Sequence, residues 1–317
     1  MDVVGIGETM VLFSPKANGS IRYARDFSSR CAGAETNTLI GLSRLGHKTG
    51  WISKIGKDEL GEFIISTVRG EGVDTSKVLC DSSAPTGIFF KGVVNEKDTR
   101  MYYYRKGSAA SKITPKDIDK QYILKAKYLY ITGITPALSQ SCYDSIFYAA
   151  EVARENGVKV VFDPNIRYKL WSGAYARETI LKLAGMSDIV LPGLSEGKFV
   201  FGDKNYESIA QDFADNGASK VIIKLGEKGA YYLSGDDRGV VPSVKISHVV
   251  DPVGAGDGFA AGVLSGLLDG LSLKESVSRG CAVGSIVTTV NGDIEGLPDR
   301  ETLKYFVESS NYNEINR

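Results

Sequence analysis

The sequence predicts an α/β protein: a three-layer core on a mostly parallel sheet, with a small β-sheet lid. Three observations carry that prediction. Apolar, β-branched runs alternate with amphipathic stretches through most of the 317 residues, the pattern of strands joined by crossover helices on both sheet faces. No low-complexity segment, linker or internal repeat divides the chain. Two stretches, Ser20–Arg30 and Thr86–Arg105, break the rhythm and read as antiparallel strands between core elements.

The chain opens on a strand, Val3–Gly7, and reaches its first interruption at Ser20–Arg30. Helix Glu35–Leu45, strand Thr49–Ile55 and helix Glu59–Glu71 follow. Thr86–Arg105 then folds back at Asn95-Glu96-Lys97-Asp98, a polar tetrapeptide suited to a turn. Strand Tyr128–Thr132, helix Ser141–Glu155, strand Val158–Phe162 and helix Arg177–Leu183 alternate, as do strand Ile189–Leu191, helix Tyr206–Asn216 and strand Lys220–Lys224. Two apolar helices, about Asp257–Leu268 and Leu273–Val290, complete the series. Open α/β sheets bind ligands at the carboxyl ends of their strands, and a small sheet over that edge excludes water. The core is therefore expected from residues 1–12, 33–84 and 107–317, and the lid from 13–32 and 85–106.

Composition narrows the function. Apolar residues are 43% and charged residues 24%, as in an ordinary globular protein with a sizeable core. Lys plus Arg and Asp plus Glu both number 38, a balance that argues against a general nucleic-acid binder. No apolar run approaches membrane-spanning length, and Met1-Asp2-Val3-Val4-Gly5 has no charged-then-apolar signal pattern. The expectation is a soluble, cytoplasmic protein without a membrane partner. Cys31, Cys80, Cys142 and Cys281 are scattered with no C-x-x-C pair and read as small buried apolar groups. His47 and His248 are the only histidines, which leaves little for a zinc site or a Ser-His-Asp device. The chemistry is expected from carboxylates, backbone amides, Arg and Lys.

The strongest chemical signal is Asp251-Pro252-Val253-Gly254-Ala255-Gly256-Asp257-Gly258-Phe259. Small residues at 254 to 256 leave N–H groups unobstructed at the start of an apolar helix, where free donors and the dipole bind anions. Such a site suits the charge on a transferring phosphoryl group, and Asp257 beside it suits a proton acceptor for a hydroxyl. On residue types alone a second reading stands equally: a tight turn with Asp257 as a helix cap.

Gly254-Ala255-Gly256-Asp257 resembles the C-terminal signature of the ribokinase family of sugar kinases, also called the B-type phosphofructokinase family. Ala32-Gly33-Ala34-Glu35-Thr36-Asn37 with Leu42-Ser43-Arg44-Leu45-Gly46 matches its N-terminal signature. Ile55-Gly56-Lys57-Asp58-Glu59-Leu60-Gly61 matches its G-x-D-x-x-G segment, and Lys224-Leu225-Gly226-Glu227-Lys228-Gly229 its nucleotide-side loop. The four segments stand in the family's order. The resemblance implies a ribokinase-like core with a β lid, ATP with Mg²⁺, Asp257 as catalytic base and an anion hole at Gly254, Ala255 and Gly256. It puts Lys224, Gly226 and Gly229 by the nucleotide and Gly33 and Asn37 on the sugar side. By residue type alone, Gly33 reads as a close helix approach and Asn37 as a local cap. Where the family often has Asn-x-x-Glu near the metal, this chain has Gly193-Leu194-Ser195-Glu196. Glu196 is thus the implied Mg²⁺ contact, or else a solvated first-turn residue. Pro252-Val253 stands where many members have two Thr, which weakens a monovalent-cation site.

A subfamily resemblance bears on the sugar. Tyr104-Arg105-Lys106-Gly107-Ser108-Ala109, Ile131-Thr132-Gly133-Ile134-Thr135, Asn165-Ile166-Arg167 with Leu170-Trp171-Ser172, and Asn291-Gly292-Asp293 look like 2-keto-3-deoxygluconate kinases. The fourth of these segments differs from the subfamily's frequent Arg-Gly-Asp at Asn291. The matching positions imply Tyr103, Arg105 and Arg167 beside a sugar acid, Phe89 on the lid and Ile134 on the core wall. Two arginines suit a carboxylate substrate. On pattern alone, Tyr103 and Arg105 also fit an aromatic strand with a solvent-facing Arg, and Arg167 a solvated loop. The fold family commonly pairs lid to lid, which implies a homo-oligomer.

Three rivals remain at this level. A fructokinase or other sugar kinase shares the core signatures. Gly5-Ile6-Gly7-Glu8-Thr9-Met10 after a strand is similar to a dinucleotide fingerprint, but Met10 replaces its third Gly and no acidic-ended second strand follows. A non-catalytic sugar-acid sensor has no need of the base that Asp257 offers.

Overall fold

The computed structural model describes residues 1–17, 19–95 and 98–315. Its larger sheet has nine strands in the order β13-β12-β11-β10-β9-β8-β1-β4-β5. These are β1 (Val3–Ile6), β4 (Thr49–Gly56), β5 (Asp74–Asp81), β8 (Tyr128–Thr132), β9 (Lys159–Asp163), β10 (Ile189–Val190), β11 (Lys220–Lys224), β12 (Ala230–Ser234) and β13 (Asp237–Val241). Pairing is parallel from β5 to β11, and antiparallel from β11 through β12 to β13.

Side-chain alternation gives this sheet two buried faces. Trp51, Tyr130, Val161 and Ile189 align in one row across it through Gly5 and belong to one apolar cluster. Val4, Leu129, Val160 and Ile52 point the other way into a second cluster. Helices α1 (Ala34–Arg44), α2 (Glu59–Gly70), α8 (Ala255–Leu268), α9 (Leu273–Val287) and α10 (Arg300–Ile315) flank the first. Helices α4 (Gln140–Glu155), α5 (Gly173–Gly185), α6 (Leu194–Phe201) and α7 (Tyr206–Asp215), with the short α3 (Lys120–Ile123), cover the second. No helix among the described residues is long and apolar enough to cross a membrane.

The second sheet runs β3-β2-β6-β7, from β2 (Met10–Pro15), β3 (Phe27–Ala32), β6 (Ile88–Asn95) and β7 (Asp98–Tyr104). Met10, Leu12, Ala32 and Phe89 form its own small buried cluster. Asp58 secures its root: one carboxylate accepts the Gly61 N–H at the start of α2 and both the N–H and hydroxyl of Thr86, just ahead of β6. The G-x-D-x-x-G segment therefore ties a core helix to the lid.

Several elements differ from the sequence reading. Ser20–Arg30 is not one strand: Ile21–Tyr23 is a single 3₁₀ turn and the strand begins at Phe27. The antiparallel pairing expected of the two stretches is present, β3 with β2 and β6 with β7, and β2 joins the two pairs by running parallel to β6. β2 is apolar on consecutive residues, being hydrogen-bonded on both sides and buried at Met10–Leu12, so it shows no period-two signature. The expected turn at Asn95–Asp98 has Glu96 and Lys97 outside the described residues. Cys80, expected inside, is exposed on the edge strand β5, while the other three cysteines are buried.

Candidate active site

Two helix N-termini meet at the carboxyl edge of the large sheet. The chain enters α8 through Gly254, whose φ of +79° lies in the left-handed region. A Cβ there would stand 2.7 Å from the Asp293 carbonyl, so both conformation and packing require glycine. The Ala255 N–H makes only a long turn bond to Pro252 O at 3.4 Å. The N–H groups of Gly256 and Asp257 have no acceptor among the described residues. A Cβ on Gly256 would meet nothing closer than Lys224 Nζ, 3.8 Å away, so that glycine borders open space beside a cation.

Asp257 lies buried in the first turn of α8. Asn37 Nδ2, from α1, donates to its Oδ2 at 2.8 Å, and no backbone N–H among the described residues bonds its carboxylate. The capping alternative thus has no hydrogen bond behind it. Burial pushes the Asp257 pKa up to about 7; Asp163 and Asp293 add to the rise, while Asn37 and Arg167 oppose it. Asn37 also accepts the Gly33 N–H through Oδ1 at 3.4 Å, so it serves the local backbone and Asp257 together. Gly33 opens α1 in extended conformation, and a Cβ there would lie 2.6 Å from the Glu8 carbonyl. The close approach read from its type is present.

Lys224 ends β11 and donates to Asp163 Oδ2 at 2.7 Å, at the end of β9. Burial works against its charge, but Asp163, Glu196 and Asp257 hold its pKa above the ordinary lysine value. Gly226 and Gly229 follow in a tight turn, both with positive φ, and among the described residues no hydrogen bond joins them to the Asp257 group. Glu196 is in the first turn of α6. Its Oε2 accepts the Gly193 N–H at 2.6 Å and its Oε1 the Ile166 N–H at 2.7 Å. It is therefore not a merely solvated residue. It pins the start of α6 to the loop that carries Arg167. Arg167 is exposed, and its charge acts on both Asp257 and Asp293.

A second cluster forms under the lid. Arg105 is buried, not solvent-facing: Nε and Nη2 both reach Glu8 Oε2, at 2.7 and 2.5 Å, and Ser108 Oγ donates to Glu8 Oε1 at 2.5 Å. Arg105 Nη1 has no partner among the described residues. The guanidinium carbon sits 5.7 Å from the Tyr103 ring centre, and that ring stacks on Phe89 at 5.3 Å. Ile134 is buried just past β8, its N–H donating to Thr132 Oγ1 at 3.1 Å. The packing of Gly33 against Glu8 joins this cluster to the Asn37–Asp257 pair.

Sequence reasoning missed Glu8, Glu35, Lys91, Asp163, Asp251 and Asp293, all buried. Glu35 accepts the hydroxyls of Thr132 and Thr135, at 2.7 and 2.8 Å, and fixes α1 to the loop after β8. Asp163 was signalled by its place at a strand end, and Lys91 by sharing a strand face with Phe89. Glu8 gave no signal, because its partners are 97 and 100 residues away. Magnesium fits this set only as a hydrated ion carried on phosphates: Glu196 spends one lone pair of each oxygen on the backbone, and the described residues hold no three-ligand His/Cys/Asp/Glu cluster. Two surface clefts of about 360 and 610 Å³ lie elsewhere, around Leu303 and around Tyr305, and neither borders Asp257.

Comparison with known proteins agrees with this geometry. The profile described as "pfkB family carbohydrate kinase" matches residues 1–300. A 2-dehydro-3-deoxygluconokinase of Bacillus subtilis (strain 168) is 43% identical over 311 residues, covering 98% of this chain and 96% of the relative. The crystal structure of a PfkB protein from Polaromonas sp. JS666 superposes with a TM-score of 0.87 at 41% identity, over 96% of this chain and 99% of that one. A putative ribokinase II from E. coli, solved in complex with ATP and Mg²⁺, shares the fold with a TM-score of 0.89 at 24% identity, over 97% and 99% of the two chains.

Proposed function

Because the chain belongs to the pfkB family of carbohydrate kinases, we propose that it moves the γ-phosphoryl group of ATP onto 2-dehydro-3-deoxygluconate (2-keto-3-deoxygluconate), giving the 6-phosphate. The observation that carries the chemistry is Asp257: a buried carboxylate with a pKa about 7, in the same first turn of α8 as the N–H groups of Gly256 and Asp257 that have no acceptor among the described residues. A base works best when its pKa lies near the operating pH.

In this reading the substrate hydroxyl gives its proton to Asp257 as its oxygen bonds the γ-phosphorus. The bond from that phosphorus to the β–γ bridging oxygen breaks, and the electron pair leaves on ADP. The N–H groups of Gly256 and Asp257 hold charge on the transferring phosphoryl, and Lys224 adds an ammonium beside Gly256. Asn37 orients the carboxylate of Asp257. Glu196 is the residue that would hold Mg²⁺, through water, and Gly226 and Gly229 would border the nucleotide. A bound Mg²⁺ would neutralise phosphate charge. Tyr103, Phe89 and Ile134 would wall the sugar, with Arg167 and Arg105 Nη1 facing its carboxylate. The second sheet would close over them as the lid.

The 43% identity to a 2-dehydro-3-deoxygluconokinase supports the acid substrate. One observation favours a neutral sugar instead, as in a fructokinase: Glu8 already matches the charge of Arg105. An ADP-release assay over keto-acids and neutral sugars separates the two. Highest kcat/KM on 2-dehydro-3-deoxygluconate is expected; preference for fructose overturns the acid reading.

A further inference from the structure

Lys91 is a buried lysine in the lid. Along β6 it shares a face with Phe89, the residue stacked on Tyr103, so both point inward from the second sheet. Its ammonium pairs with Asp251 Oδ2, across 160 residues of sequence and from the second sheet to the loop that leads into α8. The two side chains are 9% and 10% exposed, so solvent and salt screen the pair weakly. The other carboxylate oxygen of Asp251 accepts the Val253 N–H at 3.2 Å, in the turn that leads into Gly254. Asp293 completes the group. Its carbonyl packs on Gly254, and its buried Oδ1 has no hydrogen-bond partner among the described residues.

A buried ion pair is weak evidence for stability, since well-packed apolar side chains often serve as well or better; its attested value lies in fixing one arrangement. Here that arrangement spans the lid and the turn beside the anion hole. Arg30 and Glu295 make another ion pair from the second sheet at 3.1 Å, but those side chains are about one-third exposed, at 29% and 34%. The Lys91 contact, by comparison, reaches the Gly254 turn directly and stays dry.

We propose that Lys91 is a positioning residue: through Asp251 it couples the lid over the sugar to the loop that sets the anion-hole amides. Sugar bound under the lid then favours the turn that receives the phosphates, and nucleotide at the turn favours the lid position that holds the sugar. Linkage makes the effect reciprocal. The inference rests on the kinase reading above, and the control variant below keeps the two apart.

The experiment measures the affinity of 2-dehydro-3-deoxygluconate calorimetrically, with and without a non-hydrolysable ATP analogue and Mg²⁺. Wild-type protein should bind the sugar acid at least about fivefold more tightly with the nucleotide present. Lys91→Met should bring that factor close to one, and Lys91→Arg should restore much of it. Asp251→Asn, which keeps the size of the loop residue, should act like Lys91→Met and serves if that variant does not fold. A structural strut alone would lower the melting temperature and leave the factor unchanged. A wild-type factor of one, or a factor kept by Asp251→Asn and by folded Lys91→Met, overturns the proposal. Asp257→Asn, run in parallel for turnover, tests the kinase reading separately: if it keeps wild-type turnover, that reading fails whatever the coupling shows.

Discussion

Asp257 combines burial, one hydrogen bond from Asn37 and the charges of Asp163, Asp293 and Arg167. Asp257→Asn keeps the volume and removes the basicity, so kcat should fall by at least about 10²–10⁴ while sugar binding, measured by calorimetry, changes little. The same pKa carries a stability sign. Burial raises it from 3.8 to about 7, so between those values the folded chain keeps a proton that the unfolded chain has lost. The stability from that proton is complete below about pH 4 and lost as pH rises through about 7. Asp257→Asn should therefore melt above wild type at pH 8, by about 1–3 kcal/mol, with the gap closing toward pH 4. Thermal scans across that range check it; a variant less stable than wild type at pH 8 contradicts it. For the same reason wild-type kcat/KM should fall about tenfold per pH unit below an acid limb near pH 7, not near 4. Titration of Asp293, raised to about 6, belongs to that limb as well.

At the scale of elements, the start of α8 separates two demands that both read as glycine. Gly254 has φ +79° and the Asp293 carbonyl against it, whereas Gly256 faces open space near Lys224. Gly254→Ala should therefore destabilise the fold by about 1–3 kcal/mol. Gly256→Val should leave the melting temperature nearly intact and lower kcat by about 10²–10³ with every sugar, because its side chain fills the space a phosphoryl group needs. A loss confined to one sugar would put that turn on the sugar side. The turn was legible because glycine, alanine and aspartate there are dictated locally, by helix-start chemistry. The central strands were legible for a similar reason: burial on both faces writes continuous apolar runs such as Val158–Phe162. The pairings of Lys91 with Asp251 and of Arg105 with Glu8 were not, because the partners stand 160 and 97 residues apart. β5, with the polar sequence Asp74-Thr75-Ser76-Lys77, was hidden by its edge position, and β2 by being buried without alternation.

In the whole molecule a charged cluster around Asp257 and an aromatic-walled one around Arg105 meet at the start of α1, through Asn37 and Gly33. Arg105, read from sequence as either a ligand or a solvated residue, proves to be a buried partner of Glu8, with Nη1 unpaired among the described residues. Replacing it would strand the Glu8 carboxylate, so a loss in Arg105→Met would mix folding with recognition. Arg167 is exposed and has no such partner to strand among the described residues, which makes Arg167→Met the cleaner probe of the acid. Its field also acts on Asp257, so its removal should slow both acid and neutral sugars, and only their ratio isolates recognition. The deciding measurement is kcat/KM for 2-dehydro-3-deoxygluconate divided by that for fructose, in wild type and in Arg167→Met. A charge-assisted hydrogen bond of about 1.5–3 kcal/mol to the substrate carboxylate predicts that the ratio drops about tenfold or more. An unchanged ratio, with fructose the better substrate of both proteins, would contradict the sugar-acid kinase account.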